Sequence, residues 1–307
     1  MTTRHLLLLL FLQTALIPVG YPQDYCIRFF GNGVNDIDRI KIPIDNPHRK
    51  ADVGYDFTIE FQLKALLADN PLGGYASQGA NDDWTLGHII ADRDIFGGGD
   101  YGDYGISLAG GRIAFGVNNG SDSYTLIGNT NVADGNWHHI AVTRNSTSGA
   151  MRIFVDGSSD KYVASTAVTG NVSYRDGRPV TNNQWVNEPF IVLGAEKHDY
   201  DNTTYPSLSG FLDEFRISDA VRYTASYTPA SAFSDDVNTV LLFHFDEGAG
   251  MVALDAALIS PGVPASGSLQ YGGVPAGPLW VFRGAAWTGN VSNEWDNPAN
   301  WSPVALP

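Results

Sequence analysis

The residues in this chain that could do chemistry are its carboxylates and its aromatic rings. Of its 33 acidic residues only six are Glu, and the other 27 are Asp. Asp is a hard oxygen ligand of the kind calcium takes, and it is also a turn residue. Three rings, Trp84, Tyr101 and Tyr104, fall in one polar region, and Trp185, Tyr200 and Tyr205 fall in another. Sugar recognition packs aromatic faces on the apolar side of a pyranose while carboxylates and amides take its hydroxyls. These six rings are therefore candidate ligand-binding residues. Asp199-Tyr200-Asp201-Asn202 interleaves oxygen ligands with such a ring. The competing reading is solvated loop Asp, with rings that pack on their own loops.

Bond-breaking chemistry is not indicated. A retaining glycanase needs two carboxyl groups about 5–5.5 Å apart, which alternate Glu and Asp on one strand can supply. None of the six Glu has that arrangement: Glu60-Phe61-Gln62-Leu63-Lys64 carries Gln and Lys where acids would stand. Asp213 and Glu214 are adjacent, so on a regular strand they point to opposite faces. The same holds for His138 and His139, which are not expected to chelate one ion together. A serine elbow, a phosphate loop and zinc motifs are absent from the sequence. We read the chain as a non-enzyme.

The elements that must position these groups are strands. Phe57, Ile59, Phe61 and Leu63 alternate with Thr58, Glu60, Gln62 and Lys64, which predicts one face on a core and one in water. Ile40, Ile42 and Ile44 share one face of Arg39–Ile44. Ile106/Leu108 and Ile113/Phe115/Val117 predict a hairpin across Ala109-Gly110-Gly111. Further strands are expected at Trp137–Arg144, Met151–Asp156, Phe190–Leu193, Phe211–Ile217 and Val240–Phe245. Helical periodicity is almost absent, so the fold class is all-β, an antiparallel two-layer sandwich with long loops. Alternation puts Asp213 on the face of Phe211, Phe215 and Ile217. A carboxylate there must be hydrogen-bonded, to backbone amides or to a structural calcium.

The net charge of −15 and pI near 4.6 leave no basic patch for phosphates, which argues against nucleic acid and anionic membranes. Residues 1–20 read as a secretory signal peptide, with Arg4 and His5 ahead of an apolar run from Leu6 to Leu12. The expected location is secreted or cell-surface, with no membrane insertion. A lone cysteine, Cys26, excludes an intrachain disulfide. Residues 24–282 form the expected sandwich. Residues 283–307, with Trp287, Trp295 and Trp301, read as a linker and the start of a second module of a longer chain.

Several segments together resemble the laminin G-like/pentraxin-like jelly rolls of the concanavalin A-like lectin/glucanase superfamily, in their bacterial secreted type. They are Tyr55–Phe61, Asp134–Arg144, Met151–Gly157, Gly210–Ser218 with Ala220–Thr224, and Leu241–Gly250. The resemblance covers about residues 24–282. It implies a jelly-roll sandwich and a binding module for a polysaccharide, glycan or surface glycoprotein, with a structural or protein-interaction spacer as the alternative. It also implies a calcium at the rim, held by loop Asp. By position that role falls to Asp100, Asp103, Asp199 and Asp201, with Asp213 as a separate candidate.

Overall fold

The structure, a computed structural model, describes residues 24–71, 76–94, 102–174, 189–198 and 203–283, together with the backbone of 286–287 and 301–302. Strands follow in chain order: β1 (Tyr25–Phe30), β2 (Arg39–Pro43), β3 (Phe57–Leu66), β4 (His88–Asp92), β5 (Asp103–Ala109) and β6 (Arg112–Asn118). Next come β7 (Ser123–Ile127), β8 (Asp134–Asn145), β9 (Ala150–Val155), β10 (Ser158–Val163), β11 (Phe190–Leu193) and β12 (Ser209–Ser218). Then come β13 (Thr239–Phe243), β14 (Val252–Ala253), β15 (Gly267–Gln270), β16 (Gly272–Gly273), β17 (Ala276–Gly277) and β18 (Leu279–Phe282). Two short strands, β19 (Ala286–Trp287) and β20 (Trp301–Ser302), pair with each other.

Two antiparallel sheets make the sandwich. The first runs β10-β9-β8-β3-β12-β1-β18, with β13 also on β12; the second runs β14-β15-β2-β11-β4-β5-β6-β7. Between them lies one core. Phe57, Ile59, Phe61 and Leu63 enter it from the first sheet; Ile40, Ile42, Ile106, Leu108 and Phe115 enter it from the second. Phe61 stacks on Phe215 with ring centroids 5.9 Å apart. Burying a side chain of this size stabilises by about 1.5–3 kcal/mol. The expected hairpin closes at Ala109↔Arg112, and Gly110 and Gly111 take the positive φ values that a two-residue turn of this hand requires.

Two expectations fail for identifiable reasons. Thr58, Glu60 and Gln62 do not face water, because residues 219–236 strap across the outer face of the first sheet. Thr58 Oγ1 donates to Ala220 O, Gln62 Nε2 to Ser231 O and Arg216 Nη1 to Ser234 O. Glu60, fully buried, accepts from Arg216 Nε and Nη2 at 2.9 and 2.7 Å and from the Tyr223 hydroxyl at 2.9 Å. Second, Asp213 does not share a face with Phe215 and Ile217. A β-bulge between Asp213 and Arg216, with Glu214 at φ 48°, resets the alternation. Leu212, Phe215 and Ile217 therefore point into the core, while Asp213 lies outside beside Gln62. Trp137 pairs with Lys64 on the outer face and packs near Phe211.

Candidate functional site

The second sheet carries an acidic cleft at its rim, where β4 and β11 end and β5 begins. Asp92, the last residue of β4, pairs with Gly105 on one side and Val192 on the other. Its carboxylate is fully buried and accepts from the amides of Asp94 and Lys197, both at 2.7 Å. One carboxylate thereby ties together the two segments that leave the adjacent strands. Lys197 Nζ adds a bond to Asp94 O, and the buried Arg39 donates Nη1 to Glu196 O at 2.9 Å. The His198 amide donates to Glu196 Oε2 at 2.6 Å.

These bonds bring together Asp94, Glu196 and His198. One ligand atom from each lies within 4.8 Å of the others. His198 Nδ1 is 3.4 Å from Asp94 Oδ2 and 3.3 Å from Glu196 Oε1, with the imidazole fully buried. Burial, followed by the nearby Glu196 and Asp94 charges, raises the Asp92 carboxyl well above the usual carboxylate range. A cation at this cluster would favour the ionised carboxylates that burial and mutual repulsion disfavour.

Asp94 and Glu196 open into a cleft of about 300 Å³, lined also by Asp82, Thr85, Asp103 and Tyr205. Asp103 opens β5 opposite Asn118, whose side-chain amide donates to Asp82 Oδ2 at 3.1 Å. Tyr205, half-buried, is placed by the next residues: Ile89 N donates to Pro206 O at 2.8 Å, and Ile89 bridges Ser207 in parallel. Trp84 borders the cleft in a short 3-10 turn, Asp83–Leu86.

The sequence candidates separate on this geometry. Asp103 and Tyr205 reach the cleft. Trp84 and Tyr104 do not offer faces to a sugar, being 1% and 2% exposed. Trp84 lies on Gly105 and Gly116, two glycines facing each other across β5 and β6. Tyr104 points into the main core against Phe57, beneath the Arg93 guanidinium. Asp100, Tyr101, Trp185, Asp199, Tyr200 and Asp201 lie outside the described residues, as does the expected signal segment. Asp94, Glu196 and His198 escaped sequence reasoning. Glu196-Lys197-His198 holds a usable signal, since alternate residues of an extended segment share a side, but its partner is a hundred residues away.

Asp213 sits elsewhere, in a cleft of about 560 Å³ on the outer face of the first sheet. Arg283 lines it too: the guanidinium pairs with Asp213, donates to Gln62 Oε1 at 2.6 Å and stacks 4.2 Å from the Trp137 ring centre. Asp213 Oδ1 also accepts from the Glu214 amide at 2.9 Å. An arginine and one backbone amide together meet the need expected of amides or of calcium.

Residues 79–226, just under half of the chain, match a laminin G-like family model described as belonging to the concanavalin A-like lectin/glucanases superfamily. The fold is a laminin G-like jelly roll. Its rim cluster and both walls of the cleft fall inside the matched segment. Among solved structures, the native heptameric SAP-like pentraxin of Limulus polyphemus is 14% identical, with a TM-score of 0.41, covering 67% of this chain and 80% of that one. A candidate carbohydrate-binding protein from Bacteroides ovatus is 15% identical, with a TM-score of 0.43, covering 80% and 58%. Domains LG4-5 of the mouse laminin alpha1 chain are 15% identical, with a TM-score of 0.42, covering 76% and 52%. No curated protein sequence matches the chain. Among the described residues no helix is long and apolar enough to cross a membrane.

Proposed function

We propose that this laminin G-like domain is a non-catalytic extracellular binding module that recognises carbohydrate at the rim cleft of its second sheet. The observation that carries this is the convergence of Asp82, Asp94, Asp103 and Glu196 with the half-buried Tyr205 around one opening. Carboxylates accept hydrogen bonds from sugar hydroxyls in charge-assisted form, and a tyrosine ring covers an apolar sugar face. Asp94 and Glu196 also supply oxygen ligands for a divalent cation, with His198 beside them. Calcium is the ion that the sequence resemblance implies.

Hydrolysis is disfavoured by the same geometry. Asp94 and Glu196 each have an oxygen 3.3–3.4 Å from His198 Nδ1, so the pair is engaged with the imidazole and does not stand free as an acid and a nucleophile. Incubation with β-glucans and galactans is expected to release no reducing ends.

The test is a glycan and polysaccharide array probed with the purified chain, with and without chelator. The expected result is a defined set of hits, lost when Tyr205→Ala and Asp103→Asn are combined. A blank array in both conditions would replace this reading with that of a structural or protein-binding spacer.

A further inference from the structure

The rim cluster contains a nitrogen donor. Calcium takes six to eight oxygen ligands, and an imidazole is a poor substitute for one of them. Imidazole suits zinc, copper, iron and nickel, and carboxylates complete such sites readily. His198 is not at the edge of the cluster: its Nδ1 lies 3.3–3.4 Å from both carboxylate oxygens, and its ring is fully buried while Asp94 and Glu196 border the open cleft. An open position facing a cleft is how protein-bound zinc meets an exogenous ligand.

The scaffold holds these three donors in place. Asp92 fixes the backbone on both sides, and Glu196 Oε2 takes the His198 amide, which leaves Oε1 turned toward the imidazole. We infer that Asp94, Glu196 and His198 form a site for a first-row divalent cation of the zinc type, in preference to calcium. Within the binding-module reading, this cation would present its open coordination position to the ligand in the cleft.

The experiment titrates the chelator-stripped full chain with zinc and, separately, with calcium, by isothermal calorimetry and thermal melting. One zinc per chain is expected, bound at least roughly 100-fold more tightly than calcium. Loss of a group that merely orients a metal ligand costs roughly 10–100-fold in affinity, so His198→Ala is expected to weaken zinc by at least that much. His198→Asn, which retains an oxygen donor, is expected to narrow the gap between the two ions. If the variants fail to fold, cobalt(II) in the unaltered chain reports the same ligation through a paramagnetically shifted imidazole resonance.

Zinc binding unchanged in His198→Ala would overturn the assignment. So would calcium binding as tight as zinc, absence of zinc binding, or a cobalt complex without the shifted resonance. The outcome separates from that of the glycan array. Zinc held through His198 with a blank array sinks the carbohydrate reading alone. Array hits that persist in chelator, without zinc binding, sink the metal site alone.

Discussion

At the residue scale, the molecule shows how buried charge is handled away from its cleft. Glu60 lies under the strap with Arg216, His139 and Tyr223 around it, and every one of these partners comes from a different element. Removing one partner of a buried ion pair leaves an uncompensated charge and costs about 3–5 kcal/mol. Arg216→Ala is expected to lower stability toward that range in urea unfolding, whereas Lys64→Ala, on the same face but half-buried, should cost under about 1 kcal/mol. His244 offers a pH test. Its hydrogen bond to Glu214 at 2.9 Å is the largest influence on it and raises its pKa above the ordinary value of 6.5. The folded state therefore binds the proton more tightly than the unfolded chain. This contribution is fully present below pH 6.5 and is lost as pH rises through the folded-state value. His244→Gln should flatten that part of the stability profile, and an unchanged profile would mean that the Glu214 contact does not persist in solution.

At the element scale, the outer face of the second sheet depends on two glycines that make room for an indole. A methyl added at Gly105 would fall within the six-membered ring of Trp84, and one at Gly116 would meet its five-membered ring. Forcing a methyl into packed space costs typically about 1–3 kcal/mol. Gly105→Ala and Gly116→Ala are each expected to destabilise by that amount and to shift the Asp83–Leu86 turn. That turn holds Asp82 and Thr85 at the cleft, so ligand affinity should fall with stability. Gly250→Ala, in the exposed turn before β14, tests the specificity of this effect: nothing lies within 4 Å of the added methyl, so any cost there arises from the positive φ alone and should leave affinity unchanged. Strand identity was legible wherever one face of a strand meets the core, as in β3, where period-2 alternation is complete. The covering of the other face was not, because a strap of residues 219–236 has no periodicity of its own. The bulge at Asp213–Arg216 was equally silent, since one additional residue inverts every later side chain without altering composition.

At the scale of the whole molecule, the fold class follows from a pattern that sequence carries well, namely short alternating runs between Gly- and Asp-rich turns. The site does not, because it is assembled from sequence-distant pieces. Asp103 and Tyr205 were visible as a loop carboxylate and a loop ring. Trp84 and Tyr104 looked the same and proved to be core, since nothing local distinguishes a ring over two glycines from a ring over solvent. Asp94 and Glu196-x-His198 become neighbours only when β4 and β11 pair. Ligand is expected to bind in the cleft that this pairing creates. Hydrogen–deuterium exchange of the chain with and without its strongest array ligand measures that directly. Slowed exchange is expected, confined among the described residues to 82–94, 102–105, 194–198 and 203–207. Protection around Trp137 and Arg283, with the rim unchanged, would contradict it.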